Sequence, residues 1–289
     1  MRTHGDRGWV KHENHTALGA FKLRGGLIYV DELRKREPSV TGLIAATRGN
    51  HGQSIAFAGV RAGFRVVLVV PHGNSTEKNA AMRALGAELV ERGKDFQEAY
   101  EHAAELAGRL NMQFVKSFHP WLVLGVASLA LELFRAVTAL DTVYVPIGLG
   151  SSVCGTIAVR NALGLRTEIV GVVAAEAKAY SFSLQAGRPM ASEVGKTIAD
   201  GMACRVPDPD AFEMIRIGVS RTVTVSEDEI RAAMRYLFTD THNAAEAAGA
   251  ASTAALLQES SGMRGRRVAV ILTGANVDTD VFARTILST

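Results

Sequence analysis

Short apolar runs alternate along this chain with longer segments in which apolar residues recur every three to four positions. Such runs are typical of strands buried on both faces, and the longer segments are typical of amphipathic helices. The runs lie at 42–46, 65–70, 87–90, 112–115, 142–146, 168–174 and 267–272. The amphipathic segments lie at 50–62, 76–85, 95–110, 122–136 and 152–163. This alternation predicts an α/β fold with parallel sheets and helices on both faces, in which loops at the carboxyl ends of strands bind the ligand.

Three further segments carry helix signals. Residues 21–37 have helical spacing, which Pro38 stops. Ser226 and Glu229 have the spacing of a capping box at a helix start, and residues 245–258 predict another helix. The sequence contains no internal repeat, low-complexity tract or Pro/Gly-rich linker. We therefore expect any domains to be joined by chain crossovers rather than by a flexible joint.

Composition narrows the class of protein. The chain has 289 residues and 30.8 kDa, with 47% hydrophobic residues, which suffices for one large or two modest buried cores. A net charge of +3 without basic runs argues against nucleic-acid or membrane partners. The two cysteines, Cys154 and Cys204, are too few for a disulfide framework and suit a reducing cytoplasm. No apolar stretch is long enough to span a membrane, and the polar start lacks a signal-peptide core, so we expect a cytoplasmic protein.

A first candidate loop is Thr47-Arg-Gly-Asn-His-Gly-Gln53, which follows a predicted strand and precedes a predicted helix. Glycines on both sides of Asn50 and His51 let backbone amides at a helix start approach an anion closely. An ordinary strand-to-helix turn has the same pattern.

A second candidate loop, residues 146–155, also lies between a strand and a helix. Gly148 and Gly150 permit a tight turn, and Ser151 and Ser152 add hydroxyl donors, which together predict a phosphate cradle. The Lys-Ser/Thr of a nucleotide P-loop is missing, and Val153 stands where a dinucleotide fingerprint needs its third glycine. Nucleotide binding stays open as a less favoured alternative.

Lys22 is the third candidate. It lies between Phe21 and Leu23 near the start of a predicted helix, where the ammonium form is disfavoured. An amine with a lowered pKa is what Schiff-base chemistry requires. The alternative is a solvated surface lysine.

Six motifs in a fixed order carry a family resemblance: FKLRGG at 21–26, GNHGQ at 49–53, GLGSSVCG at 148–155, KTIADG at 196–201, EAAGA at 246–250 and TGANVD at 273–278. From about Val10 onward the chain resembles the fold-type II pyridoxal-phosphate enzymes, in the threonine/serine ammonia-lyase (dehydratase) branch that is related to serine racemase. The resemblance implies two interleaved Rossmann-like lobes, as in the tryptophan synthase β-like fold. The smaller lobe is expected at 42–118, and the larger comprises 1–41 and 119–289. It also implies a homodimer or homotetramer.

The resemblance implies that pyridoxal 5′-phosphate binds covalently to Lys22, with Asn50 on its 3′-oxygen and Thr273 at its ring nitrogen. The cofactor phosphate is expected at Gly148, Leu149, Gly150 and Ser151. Relatives typically have four consecutive glycines there, so Leu149 and Ser151 depart from the pattern, although their backbone amides remain.

The substrate implied is a small β-hydroxy amino acid, whose carboxylate is expected at Thr47 and His51. Lys22, released by the substrate amine, removes the Cα proton, and loss of the β-hydroxyl leads to a 2-oxo acid and ammonia. L-Threonine gives 2-oxobutanoate in this reaction, and L-serine gives pyruvate.

Arg48 stands where serine racemases have a serine base, and a guanidinium does not remove protons, so racemisation is disfavoured. Arg48 can instead pair with a second carboxylate, which keeps 3-hydroxyaspartate open as the substrate. An arginine that faces solvent or a structural partner is the alternative.

Further departures bear on metal and substrate. The positions where some relatives bind a divalent metal are Glu176, Tyr180 and Phe182, and phenylalanine offers no oxygen, so we predict no metal site. The stretch 119–128 lacks the acidic pair and Gln-Gly-Thr run of relatives, and we expect His119 within it to be structural.

The ends of the chain differ from those of relatives as well. Only 21 residues precede Lys22, fewer than the resemblance leads us to expect, and because the sequence stops at Thr289 we expect no regulatory domain. We therefore keep a weakly active or non-catalytic cofactor-binding protein as a further alternative.

Overall fold

Strands and helices alternate through most of the protein. A computed structural model describes residues 7–287, without the side chain of Arg7. The strands are β1 (Arg7–His12), β2 (Gly42–Ala46), β3 (Arg65–Val70), β4 (Glu88–Glu91), β5 (Gln113–Phe114), β6 (Thr142–Pro146), β7 (Glu168–Ala174), β8 (Arg221–Val225) and β9 (Arg267–Leu272). The helices are α1 (Lys22–Arg36), α2 (Asn50–Arg61), α3 (Thr76–Ala84), α4 (Phe96–Leu110), α5 (Pro120–Ala136), α6 (Ser151–Ala162), α7 (Ala179–Ala186), α8 (Pro209–Gly218), α9 (Glu227–Thr241), α10 (Ala247–Gln258) and α11 (Thr279–Leu287).

The described residues form two compact units. The first unit comprises residues 7–15 and 127–287, and its parallel sheet has the strand order β1-β9-β6-β7-β8. Helix α10 packs on β6 and β9, and most of its side chains are buried alanines. Because alanine side chains are small, this helix lies close against the sheet.

The second unit comprises residues 16–126, and its parallel sheet has the order β4-β3-β2-β5. Strand β2 is buried along its whole length, and its side chains alternate between two faces. Leu43 and Ala45 join a core that includes residues of α1 and α2. Ile44 and Ala46 join a second core with the alanines of α4. Burial on both faces explains why β2 has a continuous apolar sequence.

The structure confirms the α/β fold, and each predicted strand and helix lies within two residues of its predicted bounds. The capping box of Ser226 and Glu229 is also confirmed. Strands β1 and β8, the edge strands of their sheet, were not predicted because polar residues interrupt their apolar runs. Edge strands are partly exposed and carry polar residues, such as Thr222 and Thr224, instead of a continuous apolar run. Helices α7, α8 and α11 were also not predicted.

The unit that contains β2–β5 also includes residues 16–41 and 119–126, which the sequence-based division assigned to the larger lobe. Helix α1 packs on α2 so closely that a Cβ atom on Gly26 would overlap Ser54. A Cβ atom on Gly25 would lie 2.9 Å from the Leu122 carbonyl oxygen, so the start of α5 packs on the same helix. The predicted division into lobes concerns which residues move together when a ligand binds, and in that sense it stays a prediction.

Candidate active site

Each sheet has one point where the strand order reverses. In the second unit the chain proceeds from β2 through β3 to β4, and β5 then lies on the other side of β2. In the first unit it proceeds from β6 through β7 to β8, and β9 lies on the other side of β6. Ligands of open α/β sheets bind outside the carboxyl ends of strands at such switch points. The predicted loops follow β2 and β6, and Thr273 follows β9, so each lies beside a switch point.

The predicted site residues fall into two groups, one on each unit. The lysine group, on the second unit, consists of Lys22, Thr47, Arg48, Asn50 and His51. The glycine-loop group, on the first unit, consists of Gly148, Leu149, Gly150, Ser151 and Thr273.

Lys22 is the first residue of α1. Its Nζ lies 5.1 Å from the ring centroid of Phe21, and burial lowers the pKa of its ammonium group to about 8. An amine with this pKa is neutral in about one molecule in ten at pH 7, against fewer than one in a thousand for an ordinary lysine. Lys22 is therefore suited to attack an aldehyde.

The backbone of Lys22 is held in place by α2. The Ser54 hydroxyl donates a hydrogen bond of 2.6 Å to the Lys22 carbonyl oxygen. The contact of Gly26 with Ser54 brings the two helices close enough for this bond. The two glycines that follow Arg24 in the sequence thus have a packing role, because they let α1 lie against α2 and α5.

The Thr47 hydroxyl organises the loop after β2. Its oxygen accepts hydrogen bonds from the backbone N–H groups of Gly49 and Gly52, each at 2.9 Å. These two bonds occupy both lone pairs, so the hydroxyl proton remains to be donated to an anion. Gly49 has a φ of +152°, and a Cβ atom there would overlap the stem of the buried Lys78. Only glycine fits this position.

His51 is a neutral side chain in this site. Its ring N–H donates to the Val115 carbonyl oxygen just after β5, while Nε2 is buried and has no partner among the described residues. Burial, together with the positive charge of Lys22, lowers the pKa of the imidazole to about 3. The side chain therefore brings no positive charge to a carboxylate, whereas its backbone amide, in the first turn of α2, is placed to bind one.

Arg48 and Asn50 flank Gly49. Arg48 is half-buried, and its Nε is buried without a partner in the described part of the chain. Asn50 is half-buried as the first residue of α2.

The glycine loop is packed tightly on the first unit. Gly150 has a φ of +103° and caps α6, and a Cβ atom there would lie 2.9 Å from Cβ of Ala211 in α8. A Cβ atom on Gly148 would overlap the Gly201 carbonyl oxygen. Both glycines are therefore required by close approach of other elements.

The first turn of α6 offers donors to an anion. Ser151 and Ser152 are buried at the positive end of this helix. The Ser152 hydroxyl is buried and has no hydrogen-bond partner among the residues described. A buried hydroxyl of this kind is costly unless an acceptor reaches it, and a phosphate oxygen is such an acceptor. The sequence indicates Ser152 as a hydroxyl donor, and its buried hydroxyl adds it to the candidate phosphate-binding residues.

Thr273 is buried directly after β9. The next residue, Gly274, accepts a 3.0 Å hydrogen bond from the backbone N–H of Glu246, the buried N-cap residue of α10. A Cβ atom on Gly249 would overlap the Gly274 carbonyl oxygen, so the glycine of the EAAGA motif lets α10 lie against this loop.

The positions considered for a metal have other contacts. Phe182 is 44% exposed, and the Glu176 carbonyl oxygen accepts a 2.7 Å hydrogen bond from Gly195 N–H. The Tyr180 hydroxyl donates to the Leu149 carbonyl oxygen at 3.2 Å. Across residues 7–287 no cluster of His, Cys, Asp or Glu side chains has an arrangement that suits a metal ion. The absence of a metal site stays a prediction.

Within residues 7–287 no helix combines the length and apolar character needed to cross a membrane.

Two contacts with the candidate loops lacked a sequence signal. The burial of Lys78 beneath Gly49 depends on packing between α3 and the loop after β2. The bond from Tyr180 to Leu149 joins residues 31 positions apart.

Comparison with known proteins gave consistent results. A family model described as "Pyridoxal-phosphate dependent enzyme" matches residues 2–274. The L-threonine ammonia-lyase of Thermotoga maritima is 31% identical over 279 residues, which cover 96% of this chain and 69% of that protein. The biosynthetic L-threonine dehydratase of Haemophilus influenzae is 31% identical over 273 residues, and this chain spans only 53% of its length. The processed form of threonine deaminase isoform 2 from Solanum lycopersicum has a TM-score of 0.90 at 29% identity, covering 97% of this chain and 82% of that structure.

Proposed function

Because the chain belongs to the pyridoxal-phosphate-dependent enzyme family, we propose that it is an ammonia-lyase that removes water and ammonia from L-threonine or L-serine. The observation that carries the proposal is the lowered pKa of Lys22 at the start of α1. Relatives named as L-threonine ammonia-lyases and dehydratases, at 31% identity over most of this chain, support the same reaction.

The residues present suit pyridoxal 5′-phosphate. Lys22 provides an amine that is neutral often enough to bond an aldehyde, and the partnerless hydroxyl of Ser152 provides a donor for a phosphate. We assign the phosphate to the backbone amides of residues 148–151, the 3′-oxygen to Asn50 and the ring nitrogen to Thr273. When bound, the cofactor supplies an electron sink for the α-carbon of the substrate.

Lys22 is assigned the proton transfer. Its free amine takes the Cα proton of the substrate at Nζ, and a pKa near 8 allows Nζ both to lose and to regain a proton close to neutral pH. The β-hydroxyl of the substrate takes up a proton and leaves as water, so the proton lost from Cα is balanced by the one that the hydroxyl gains.

The substrate carboxylate is assigned to the start of α2. The Thr47 proton is directed by the two hydrogen bonds that its oxygen accepts, and the His51 amide lies in the first turn of the helix. His51 stays neutral, so the positive end of the helix and Arg48 provide the favourable field for the anion.

Thr273 tunes the cofactor through its lack of charge. A hydroxyl can donate to or accept from a ring nitrogen, but it does not keep that nitrogen protonated as a carboxylate does. The electron-withdrawing strength of the cofactor ring is thereby moderated, and this suits an elimination reaction.

Arg48 supports a second candidate substrate, 3-hydroxyaspartate. Its buried Nε has no partner among the described residues, and a guanidinium binds a carboxylate through two parallel hydrogen bonds. This candidate predicts oxaloacetate and ammonia as products, lost on Arg48→Ala. Activity on 3-hydroxyaspartate that Arg48→Ala leaves intact would refute the role of Arg48.

Assembly and compartment complete the proposal. We infer a homodimer or homotetramer, as the family resemblance implies, and a cytoplasmic location, which the two buried free cysteines support. Light scattering on the purified holoenzyme tests the assembly, and a monomeric mass would overturn it.

The decisive experiment adds L-threonine and L-serine to the holoenzyme and measures 2-oxo acid and ammonia. We expect both products in equal amounts from the wild type and none from Lys22→Ala. A holoenzyme whose absorbance and product yield do not respond to any β-hydroxy amino acid would favour a non-catalytic cofactor-binding protein.

A further inference from the structure

One buried hydroxyl joins a helix of the first unit to the glycine loop. Tyr180, in α7, is 2% exposed, and its hydroxyl donates to the Leu149 carbonyl oxygen at 3.2 Å. Tyr180 thus links α7 to the glycine loop.

The Tyr180 hydroxyl is a permanent donor. Burial raises the pKa of the phenol far above its ordinary value, so it keeps its proton at every pH at which the protein works. The proton is directed toward the Leu149 carbonyl oxygen.

This bond determines where the loop directs its amides. The Leu149–Gly150 peptide is trans and planar, so the Gly150 N–H points away from the Leu149 carbonyl. Gly150 has a φ of +103°, and the wide backbone freedom of glycine lets the preceding peptide rotate between two orientations. Holding the carbonyl against Tyr180 selects the orientation in which the Gly150 amide points away from α7.

Packing alone leaves this orientation undetermined. Gly148 lies against Gly201 and Gly150 lies against Ala211, and these contacts restrict where the Cα atoms of residues 148 and 150 lie. Rotation of the Leu149–Gly150 peptide about the line joining the Cα atoms of these two residues moves the Leu149 carbonyl and the Gly150 amide while both Cα atoms stay in place.

We propose that Tyr180 is a positioning residue that holds the 148–151 loop in its phosphate-binding conformation. The proposal rests on the assignment of the cofactor phosphate to this loop. The proposal adds Tyr180, a residue of α7, to the residues that bind the phosphate. Tyr180 acts through its hydrogen bond to the Leu149 carbonyl.

The test compares Tyr180→Phe with Tyr144→Phe. Tyr144 is the matched control, since it is also a buried tyrosine of the first unit and loses a hydroxyl bond of 2.5 Å, but to Glu259 rather than to the loop. Both variants keep the aromatic ring, so each removes a single hydrogen bond and leaves the packing.

The measurement is the dissociation constant of two ligands, pyridoxal 5′-phosphate and pyridoxal, from each apoenzyme. The dissociation constant of pyridoxal divided by that of pyridoxal 5′-phosphate reports the contribution of the phosphate to binding. This ratio is unaffected when a fraction of the protein is unfolded. We expect Tyr180→Phe to reduce this ratio about tenfold, which is the size of one charge-assisted hydrogen bond lost between the loop and the phosphate. Tyr144→Phe is expected to change it by less than about twofold.

Each outcome has one meaning. A wild type that does not prefer the phosphorylated ligand overturns the assignment of the phosphate to the loop, and with it the proposed function. A wild type that prefers it, with the same preference in Tyr180→Phe, overturns the role of Tyr180 alone. Thermal stabilisation of the apoenzymes by inorganic phosphate provides a second readout, expected to be weaker in Tyr180→Phe than in the control.

Discussion

Lys22 illustrates how much of the chemistry is decided by a single side chain. Its apolar neighbours and helix-start position could be predicted from the sequence, and they lead to the low pKa that the structure gives. The contacts of Tyr180 and Lys78 could not be predicted, because each depends on residues that are distant in sequence and brought together by folding.

The low pKa of Lys22 has a consequence for stability. The unfolded chain keeps the proton up to a pKa of about 10.5 and the folded protein only up to about 8, so below pH 8 the folded state holds a buried charge. We expect Lys22→Met to stabilise the apoenzyme at pH 7 by about 1 to 3 kcal/mol, since one pKa unit corresponds to about 1.36 kcal/mol. The wild type recovers stability as pH rises from 8 to 10.5.

Urea unfolding of the apoenzyme across this pH range measures the effect. The difference between variant and wild type should shrink toward high pH. A difference that does not depend on pH would place the Lys22 amine in water.

His51 gives a prediction on the acid side. The folded protein resists protonation of this imidazole down to a pKa of about 3, while the unfolded chain takes up a proton near 6.5. The stability that the neutral His51 imidazole contributes to the folded protein is therefore lost as pH falls from 6.5 toward 3. We expect the ring protons of His51 in an NMR titration of the apoenzyme to show no protonation between pH 8 and 5, and His51→Gln to be less sensitive to acid than the wild type. A His51 signal that titrates near pH 6.5 contradicts the account.

At the scale of elements, helix α1 carries Lys22 into position because small residues let it lie between α2 and α5. Gly25 and Gly26 contact Leu122 and Ser54. The helix itself could be predicted from its period, and so could α9 from its capping box, because these signals are local. The packing role of the glycines could not, because it depends on which helices become neighbours.

We expect Gly26→Ala to move α1 and to destabilise the protein by about 1 to 3 kcal/mol, because the added methyl overlaps Ser54. Covalent attachment of the cofactor should fall with it. Gly108→Ala is the control, since Gly108 lies in α4 with open space around it. It should stabilise the protein by up to about 1 kcal/mol through helix propensity. Urea unfolding of both variants checks this, and equal effects of the two substitutions would contradict it.

At the scale of the whole molecule, strand order determines where the candidate residues lie. Both sheets reverse their order beside a strand whose following loop carries predicted site residues. The sequence predicts the strands and the loops, but not which strands become neighbours, because pairing of β6 with β9 joins segments more than 100 residues apart.

The central claim is that Lys22 bonds the aldehyde of pyridoxal 5′-phosphate. Borohydride reduction of the holoenzyme, followed by tryptic digestion and mass spectrometry, tests it directly. Modification blocks cleavage after Lys22, so the account predicts that the cofactor mass lies on the peptide spanning residues 12–24. Lys22→Ala should yield no modified peptide while retaining cooperative thermal unfolding. Modification at any other lysine, the buried Lys78 included, would contradict the account.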